Sequence, residues 1–286
     1  MEDEIAADVH VDKKIARDMS SEPPAKRARV GGMDVSTIEV IGGSVVHIGR
    51  DLLTSIPGYI LDKKASGIKA SRYVIVSDRT VFGLYGDKLV NAFKAAGHTP
   101  LTFQVEPGEG SKDRRVKERI EDYMLEHRCQ RDTCMVALGG GVVGDLTGFV
   151  AATFMRGVPV VQIPSSMLAM LDSSVGGKTA INVPAGKNLV GSFHQPRVVF
   201  AGPARRVPGP CPPPPRAPAA PPITILPHTA DIDLLATLSE REVVEGLAEA
   251  IKMGCIRSES LFDFMEDNVD GVKVMIYSLL LLCGHV

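Results

Sequence analysis

The stretch MVALGGGVVGDLTGFVAATFMRGVPVVQIPSSMLAMLDSSVGGKTAINVPAGKN, residues 135–188, has the pattern of a strand, a glycine loop, a helix, a buried strand and a polar loop. Gly139, Gly140 and Gly141 stand at the carboxyl end of the first strand, and a second glycine pair precedes Lys178. Glycines before a helix expose backbone N–H groups to an anion, and the helix dipole attracts negative charge there. Because a tight turn in an ordinary parallel sheet has the same pattern, the glycine loop alone leaves both interpretations open.

The composition limits the class of protein. The chain has 286 residues, of which 44% are hydrophobic and 23% charged, as expected for a globular protein of about two domains. Its 32 basic residues are balanced by 34 acidic ones, so we expect neither nucleic acid nor membrane as a partner. Five cysteines form no CxxC pair, and their odd number argues against a disulfide framework. A reducing compartment follows, and we expect a cytoplasmic protein.

Residues 1–33 are predicted to be a disordered tail. Asp and Glu occur from the second residue onward, which fits neither a signal peptide nor a transit peptide. The basic cluster at 26–29 could be a nuclear-import signal, but we interpret it as solvated charge in a polar tail.

The next part of the chain has short apolar runs separated by turn residues. A hairpin is predicted from runs 36–41 and 44–48, with a helix following at 51–62. The elements before the glycine loop are then strand 72–77, helix 81–96, strand 100–105 and helix 112–128. This alternation predicts a Rossmann-like, doubly wound parallel sheet, in which ligands bind at the carboxyl ends of the strands.

Three polar features fall at such strand ends: Asp78, Glu109 with Lys112, and the glycine loop. An acidic residue at the position of Asp78 either binds ribose hydroxyls or caps the next helix, and capping is the more frequent role. The loop lacks the GxGxxG spacing. It is also not followed by a complete phosphate-binding GxxxxGK[ST] motif, because Asp172 stands where the first glycine is required. The motifs therefore exclude a nucleotide triphosphatase without identifying the ligand.

Five blocks resemble the 3-dehydroquinate synthases, especially the synthase domain of the pentafunctional shikimate-pathway protein. In order they are GGGVVGD (139–145), ATFMRG (152–157), PSSMLAMLDSSVGGKTAIN (164–182), GKN (186–188) and EGLAEAIK (245–252). The resemblance covers residues 34–200 and resumes from 231 to about 273. It implies conversion of the sugar-acid phosphate DAHP to 3-dehydroquinate and phosphate. The family uses NAD catalytically together with a divalent metal, zinc or cobalt, and forms a homodimer.

The resemblance also implies roles for individual residues. The expected cofactor-binding residues are Asp78, Glu109, Lys112, Gly140, Gly141, Asp145, Ser165, Ser166, Lys187 and Thr237. The expected substrate-binding residues are Arg156, Asp172, Lys178, Asn188, Glu249 and Lys252, of which Lys178 and Lys252 are also expected to be catalytic. Glu249 is expected to bind the metal. Two serines replace threonines usual in the fungal proteins, and Arg156 can reach across a dimer interface in family members.

The chain departs from the family pattern in two places. Residues 201–230 are a proline-rich insertion, interpreted as a retained intron or gene-model error rather than a proline-rich binding loop. Residues 231–286 are expected to be the start of an incomplete all-helical domain, without the two histidines that complete the family's metal site. We interpret His285 as a coincidental match. The polypeptide as written is therefore expected to be a fragment that binds NAD but lacks synthase activity.

Three alternatives remain for the function. A valiolone-type sugar-phosphate cyclase would share the fold and cofactor, although Gly-Gly-Lys at 176–178 favours dehydroquinate synthase. An alcohol dehydrogenase of the glycerol dehydrogenase type would consume NAD stoichiometrically. A non-catalytic NAD-binding or dimerisation module would bind NAD without turnover.

Overall fold

The main feature of the fold is a parallel sheet. The computed structural model describes residues 26–30, 33–40, 44–48, 52–201, 240–257, 262–263 and 265–266. The strands within these ranges are β1 (Lys26–Val30), β2 (Met33–Val40), β3 (Ser44–Ile48), β4 (Arg72–Asp78), β5 (Leu101–Val105), β6 (Thr133–Gly139), β7 (Val160–Pro164), β8 (Lys178–Val183), β9 (Gly186–Phe193) and β10 (Val198–Ala201). The sheet order is β1-β2-β3-β10-β7-β6-β4-β5. From β3 to β5 all neighbouring strands are parallel, while β2 and β1 add antiparallel at one edge.

Helices connect the parallel strands. Those of the described residues are α1 (Ile56–Leu61), α2 (Lys63–Ser66), α3 (Arg79–Val81), α4 (Asp87–Ala95), α5 (Arg114–Glu126), α6 (Gly141–Thr153) and α7 (Glu240–Arg257). A π-helical turn at Phe82–Gly86 joins α3 to α4. None of these helices combines the length and hydrophobicity needed to cross a bilayer.

The central strands are buried on both faces, because helices cover each side of the sheet. Every residue of β6 and β7 is buried. On one face, Leu89 and Phe93 of α4 pack in the core that contains Val136. On the other face, Leu146 of α6 and Ile120 of α5 pack in the core that contains Met135. The predicted Rossmann-like, doubly wound α/β fold is confirmed.

The predicted hairpin before the parallel strands is also confirmed, since β2 pairs with β3 and Val40 lies opposite Ser44. The single helix predicted at 51–62 is instead a 3₁₀ turn, Leu52–Thr54, followed by α1. Pro57 explains the division, because proline lacks an N–H and is accepted only in the first turn of a helix.

The prediction of a polar loop at the end of the stretch 135–188 is wrong. Strands β8 and β9 form an antiparallel hairpin there, packed along α6. The hydroxyl of Thr179 donates to the Ser192 carbonyl over 2.7 Å and fastens the two strands. Gly148 lets α6 approach the hairpin, because a Cβ at that position would overlap the Thr179 methyl. Polar residues are therefore retained in strands by contacts with a helix distant in sequence.

The disordered-tail prediction needs one correction. Residues 26–30 form β1, in the register that places Lys26 opposite Thr37 and Val30 opposite Met33. Backbone pairing explains this, since β2 would otherwise present a row of unpaired N–H and C=O groups at the sheet edge. Residues 1–25 and 202–239 lie outside the described residues, so the predictions of a disordered tail and a proline-rich loop stay predictions there.

Changing Gly148 to alanine is expected to destabilise the protein by about 1–3 kcal/mol, because the new methyl forces Thr179 away from Ser192. Urea unfolding measures the loss. Adding Thr179→Ser removes the colliding methyl but keeps the hydroxyl, so the double variant should recover most of the stability. Gly58→Ala is the control, since its Cβ meets nothing within 4 Å. Equal losses in the single and double variants would contradict this account.

Candidate functional site

The glycine loop lies at the carboxyl end of β6, where Gly140 precedes the first turn of α6. No side chain caps this helix N-terminus, so its first N–H groups are directed at the space above the loop. A Cβ on Gly140 would lie 3.4 Å from the Ser166 hydroxyl oxygen, and one on Gly141 would lie 3.1 Å from that of Ser173. The absence of side chains therefore keeps a narrow approach to backbone donors open, which suits a phosphate group.

Two acidic residues lie at neighbouring strand ends. Asp78 ends β4 opposite Val105, the last residue of β5. Its carboxylate accepts from the Val81 N–H over 2.9 Å, so Asp78 does cap the helix that follows. Glu109 lies just beyond β5, in the turn Glu109–Ser111. Both carboxylates are thus on the edge of the sheet that carries the glycine loop.

Lys112 is the central cation of this edge. Its residue is only 3% exposed. The ammonium Nζ donates to Asp145 Oδ2 and to Asn188 Oδ1, each over 2.5 Å. One buried charge therefore joins the first turns of α6 to the β8–β9 hairpin, which carries Asn188.

Asn182 extends these contacts to Glu109. Its Nδ2 donates to Glu109 Oε2 over 2.8 Å, and its Oδ1 accepts from the Asn188 backbone N–H over 3.0 Å. The Asn182 backbone N–H donates to the Lys112 carbonyl over 2.7 Å. Lys187 Nζ lies 3.7 Å from the same Glu109 oxygen. Five residues predicted from the sequence to bind cofactor or substrate are thereby in one network with a residue that was not predicted.

The electrostatics of Asp145 reflect burial and crowding. Burial has the largest effect and raises the pKa of its carboxyl above the ordinary value, while the Lys112 hydrogen bond and charge lower this pKa. The nearby charges of Asp172 and Glu109 raise the pKa of Asp145 further. Three carboxylates thus share this edge, which explains why a buried lysine is accepted between them.

A cavity of about 440 Å³ opens beside the network. Asp145 and Asn188 line it together with Asp172, Ser173 and Lys178. Asp172 and Lys178 are exposed at the cavity and bring one charge of each sign. The volume is that of a small-molecule site, and the lining offers charged groups and amides to a polar ligand.

Helix α7 carries the remaining predicted residues. Its buried Leu247 and Ala250 join the core on the α4 side, and a Cβ on Gly246 would meet the Met167 side chain at 2.5 Å. Lys252 forms an ion pair with Glu249 three residues earlier. That hydrogen bond raises the pKa of the Lys252 ammonium, and the charge of Asp172 acts in the same direction. Helix packing therefore places this pair near the cavity.

The residues that the structure describes contain no group of three or more His, Cys, Asp or Glu side chains arranged to hold a metal ion. Glu249 is the predicted ligand among them, and it is paired with Lys252. Catalytic zinc sites have about three protein ligands. The described residues therefore do not by themselves form the metal site that the resemblance implies.

Arg156 is separated from the glycine loop. It is exposed in the turn Phe154–Arg156, just after the carboxyl end of α6, whereas the glycine loop is at the amino end. Thirteen residues of helix span about 20 Å. Met155 and Arg156 have φ of 49° and 68°, in the left-handed region that is uncommon for non-glycine residues. Arg156 is thus exposed at the end of α6 opposite the glycine loop.

The other predictions have mixed outcomes. Ser165 is buried and its N–H donates to the Gly139 carbonyl over 2.9 Å, while the Ser166 hydroxyl accepts from the Ala169 N–H over 3.3 Å. Both serines adjoin the glycine loop as expected. Thr237 lies outside the described residues, as does Ser239, which precedes α7.

Sequence reasoning missed Asn182 and Ser173. Both fall inside the block 164–182, so their position in it was the signal that could have found them. Neither residue is charged, and neither belongs to a motif whose spacing indicates a binding site. Their importance follows from contacts with residues distant along the chain.

A family model described as the N-terminal part of 3-dehydroquinate synthase matches residues 102–205, which include the glycine loop, the network and the cavity. The chain belongs to the 3-dehydroquinate synthase family. The pentafunctional AROM polypeptide of Saccharomyces cerevisiae is 40% identical over 240 residues, covering 82% of this chain. The chain spans only 13% of that relative's length.

Two solved synthases have the same fold as this member of the dehydroquinate synthase family. One is a 2-deoxy-scyllo-inosose synthase complexed with carbaglucose-6-phosphate, NAD⁺ and Co²⁺; it is 23% identical, with a TM-score of 0.67, over 87% of this chain and 60% of that one. The other is the 2-epi-5-epi-valiolone synthase of Streptomyces hygroscopicus subsp. jinggangensis, with NAD⁺ and Zn²⁺ bound. It is 25% identical, with a TM-score of 0.64, over 86% of this chain and 59% of that one.

The buried ion pair provides a stability test. Lys112→Met is expected to destabilise the protein by about 3 kcal/mol, because the Asp145 carboxylate then lacks its cation. Adding Asp145→Asn removes that uncompensated charge, so the double variant should be less destabilised than the sum of the two single variants. Urea unfolding of all four proteins measures the coupling.

The pH dependence gives a second readout. In Lys112→Met the two lowering effects on the Asp145 pKa are lost, so this pKa rises further. A group with a raised pKa in the folded state stabilises at low pH, and that stability is lost as the pH rises through the folded pKa. The double variant has no carboxyl at position 145, so its free energy of unfolding should not show this dependence on pH. Arg241→Met, which breaks an exposed i,i+4 pair, should change stability by about 0.5 kcal/mol or less. If the losses of stability in Lys112→Met and Asp145→Asn were additive at every pH, the ion pair between Lys112 and Asp145 would be contradicted.

Proposed function

We propose that this chain is the cofactor- and substrate-binding part of a 3-dehydroquinate synthase, which converts DAHP to 3-dehydroquinate and phosphate in the shikimate pathway. The observation that carries the proposal is the buried Lys112 ammonium, which contacts Asp145 on the cofactor side and Asn188 on the substrate side. In this assignment residues 34–200 are the NAD-binding domain, and residues 231–286 begin a helical domain. We propose a cytoplasmic location.

NAD is the cofactor that the carboxyl edge of the sheet fits. The proposed residues are Asp78, Glu109, Lys112, Gly140, Gly141, Asp145, Ser165, Ser166 and Lys187, with Thr237 beyond the described ones. When bound, NAD supplies a hydride acceptor and later a hydride donor. The uncapped N–H groups of α6 bind its pyrophosphate, because the glycines leave them accessible. Asp78 has a second role beside capping, as an acceptor for ribose hydroxyls.

The cavity is the proposed substrate site. Lys178 and Asn188 bind the sugar-acid phosphate and Asp172 accepts from its hydroxyls. Lys178 also neutralises charge on the departing phosphate, and a cation placed there lowers the barrier for elimination. Lys252 lies close to Asp172 and is positively charged like Lys178. It contacts the substrate from the α7 side. The two lysines thus offer positive charge to a small anionic substrate, while Asp172 accepts hydrogen bonds from its hydroxyls.

Arg156 supports a proposal about assembly. It is exposed about 20 Å from the glycine loop of its own chain, so its guanidinium is available to a phosphate bound by a second copy. A guanidinium forms two parallel hydrogen bonds with phosphate, so one arginine is enough for strong binding. We therefore propose a homodimer in which Arg156 of each copy completes the other's cavity.

The divalent metal, zinc or cobalt, requires ligands beyond the described residues, because Glu249 is the one proposed ligand among them. That observation also favours a second candidate, a non-catalytic NAD-binding module. A valiolone-type cyclase stays the alternative within the same fold, and analysis of the product distinguishes it from dehydroquinate synthase.

Calorimetric titration with NAD⁺ tests the cofactor proposal. We expect one NAD per chain, and we expect Gly141→Val to weaken binding by at least about tenfold, because its side chain closes the approach to the α6 N–H groups beside Ser173. Gly58→Ala, in an exposed helical position, should bind like the unchanged protein. A chain that does not bind NAD would overturn the proposed function.

Turnover is tested separately by supplying DAHP, substoichiometric NAD⁺ and Zn²⁺ and measuring phosphate and dehydroquinate. We expect NAD binding without turnover from this polypeptide, because the described residues supply one metal ligand. Formation of dehydroquinate would instead establish catalysis by this chain and refute the non-catalytic module.

A further inference from the structure

Asn182 interrupts the regular hairpin. In the β8–β9 ladder Ile181 lies opposite Val190 and Val183 opposite Gly186, with a shift of register between them, so Asn182 has no ladder partner. Its backbone N–H instead donates to the Lys112 carbonyl. An irregularity of this kind redirects a side chain away from the usual alternation of a strand. Asn182 is thereby free to contact groups outside the hairpin.

The side-chain amide of Asn182 contacts both halves of the site at once. Its Nδ2 donates to Glu109 on the proposed cofactor side, and its Oδ1 accepts from the Asn188 N–H on the proposed substrate side. A carboxylate needs a donor and an N–H needs an acceptor, and an amide supplies one of each. A carboxylate in its place would repel Glu109, and an alanine would satisfy neither partner.

The contact with Asn188 also determines where that side chain lies. Asn188 has φ of 59°, a left-handed conformation that asparagine adopts more readily than other non-glycine residues. The Asn182 acceptor on its N–H and the Lys112 donor on its Oδ1 hold it there. Through the first of these bonds the position of the Asn188 amide depends on Asn182, although Asn182 is not among the residues that line the cavity.

We infer that Asn182 is a positioning residue that couples the cofactor side of the site, through Glu109 and Lys112, to the substrate side, through Asn188. This inference rests on the proposed function for the identity of the ligands, and on the described contacts for the coupling. Neither NAD nor substrate needs to touch Asn182. Movement of Glu109 on cofactor binding is transmitted to Asn188 by one amide.

The test exchanges the donor and the acceptor of the hydrogen bond between positions 109 and 182 and measures NAD binding by titration. Asn182→Asp and Asn182→Ala should each weaken NAD binding by about tenfold, because Glu109 loses its donor. In Glu109→Gln, the new amide donates to an aspartate at 182, so the Glu109→Gln/Asn182→Asp protein should bind at least about fivefold better than the two single effects predict. Asn91→Asp, at an exposed position of α4, is the control for the added charge.

The pH dependence separates positioning from general damage. In Asn182→Asp two carboxylates face each other at positions 109 and 182, and their repulsion favours the uptake of one shared proton as the pH falls from about 7.5 to about 5. That proton restores a donor between the two positions, so the defect should shrink. It should not shrink in Asn182→Ala. Hydrogen exchange of the Asn188 N–H should accelerate in Asn182→Ala, since its acceptor is removed.

Two failures are distinguishable. If the unchanged protein binds NAD but the Asn182 and Glu109 effects are additive and independent of pH, the inference is overturned and the proposed function stands. If the unchanged protein binds no NAD, the proposed function is lost. Hydrogen exchange then decides the inference: unaltered protection of the Asn188 N–H in Asn182→Ala overturns it, and faster exchange supports it.

Discussion

The arrangement of the site depends on the ammonium group of Lys112. A buried lysine keeps its charge only when partners replace the lost water, and here Asp145 and Asn188 do so. Those partners belong to α6 and β9, and the Lys112 carbonyl accepts from Asn182 of β8. Three separate parts of the chain therefore have to meet at this residue. Moving any one of them would leave a buried charge or carbonyl without its partner.

Close packing of α6 makes that meeting possible. Gly144 lies over Gln162 of β7, whose Nε2 donates to the Gly144 carbonyl over 3.1 Å, and a Cβ there would lie 2.9 Å from Gln162 Oε1. Gly148 faces Thr179 of the hairpin in a similar way. The glycines bring sheet, helix and hairpin within hydrogen-bonding distance. The same helix begins at the glycine loop, so its packing and its anion-binding end are parts of one structure.

The charges of the site are divided along the helix and around the cavity. Carboxylates Asp145, Asp172 and Glu109 are near one another, and their repulsion is offset by Lys112. Arg156 is at the other end of α6, about 20 Å from the glycine loop. This separation supports the proposal that Arg156 contributes to phosphate binding in a second copy. Glu249 and Lys252 neutralise each other in the described structure, so a metal would have to compete with that pair.

The amino-acid sequence by itself determined the α/β class, the strand, glycine loop and helix that open the stretch 135–188, and the placement of Asp78, Glu109 and the glycines at strand ends. These features follow from local rules. The spacing of hydrophobic residues, the conformational freedom of glycine and helix propensity each act over a few residues. Only the tertiary structure decided that Lys112 meets Asn188, 76 residues away, and that Asn182 meets Glu109, 73 residues away. It also decided that a polar segment forms a hairpin on α6 and that Arg156 is exposed at the end of α6 opposite the glycine loop. Contacts across such separations depend on the packing of whole elements, and no local pattern encodes which polar side chains that packing brings within 3 Å of each other.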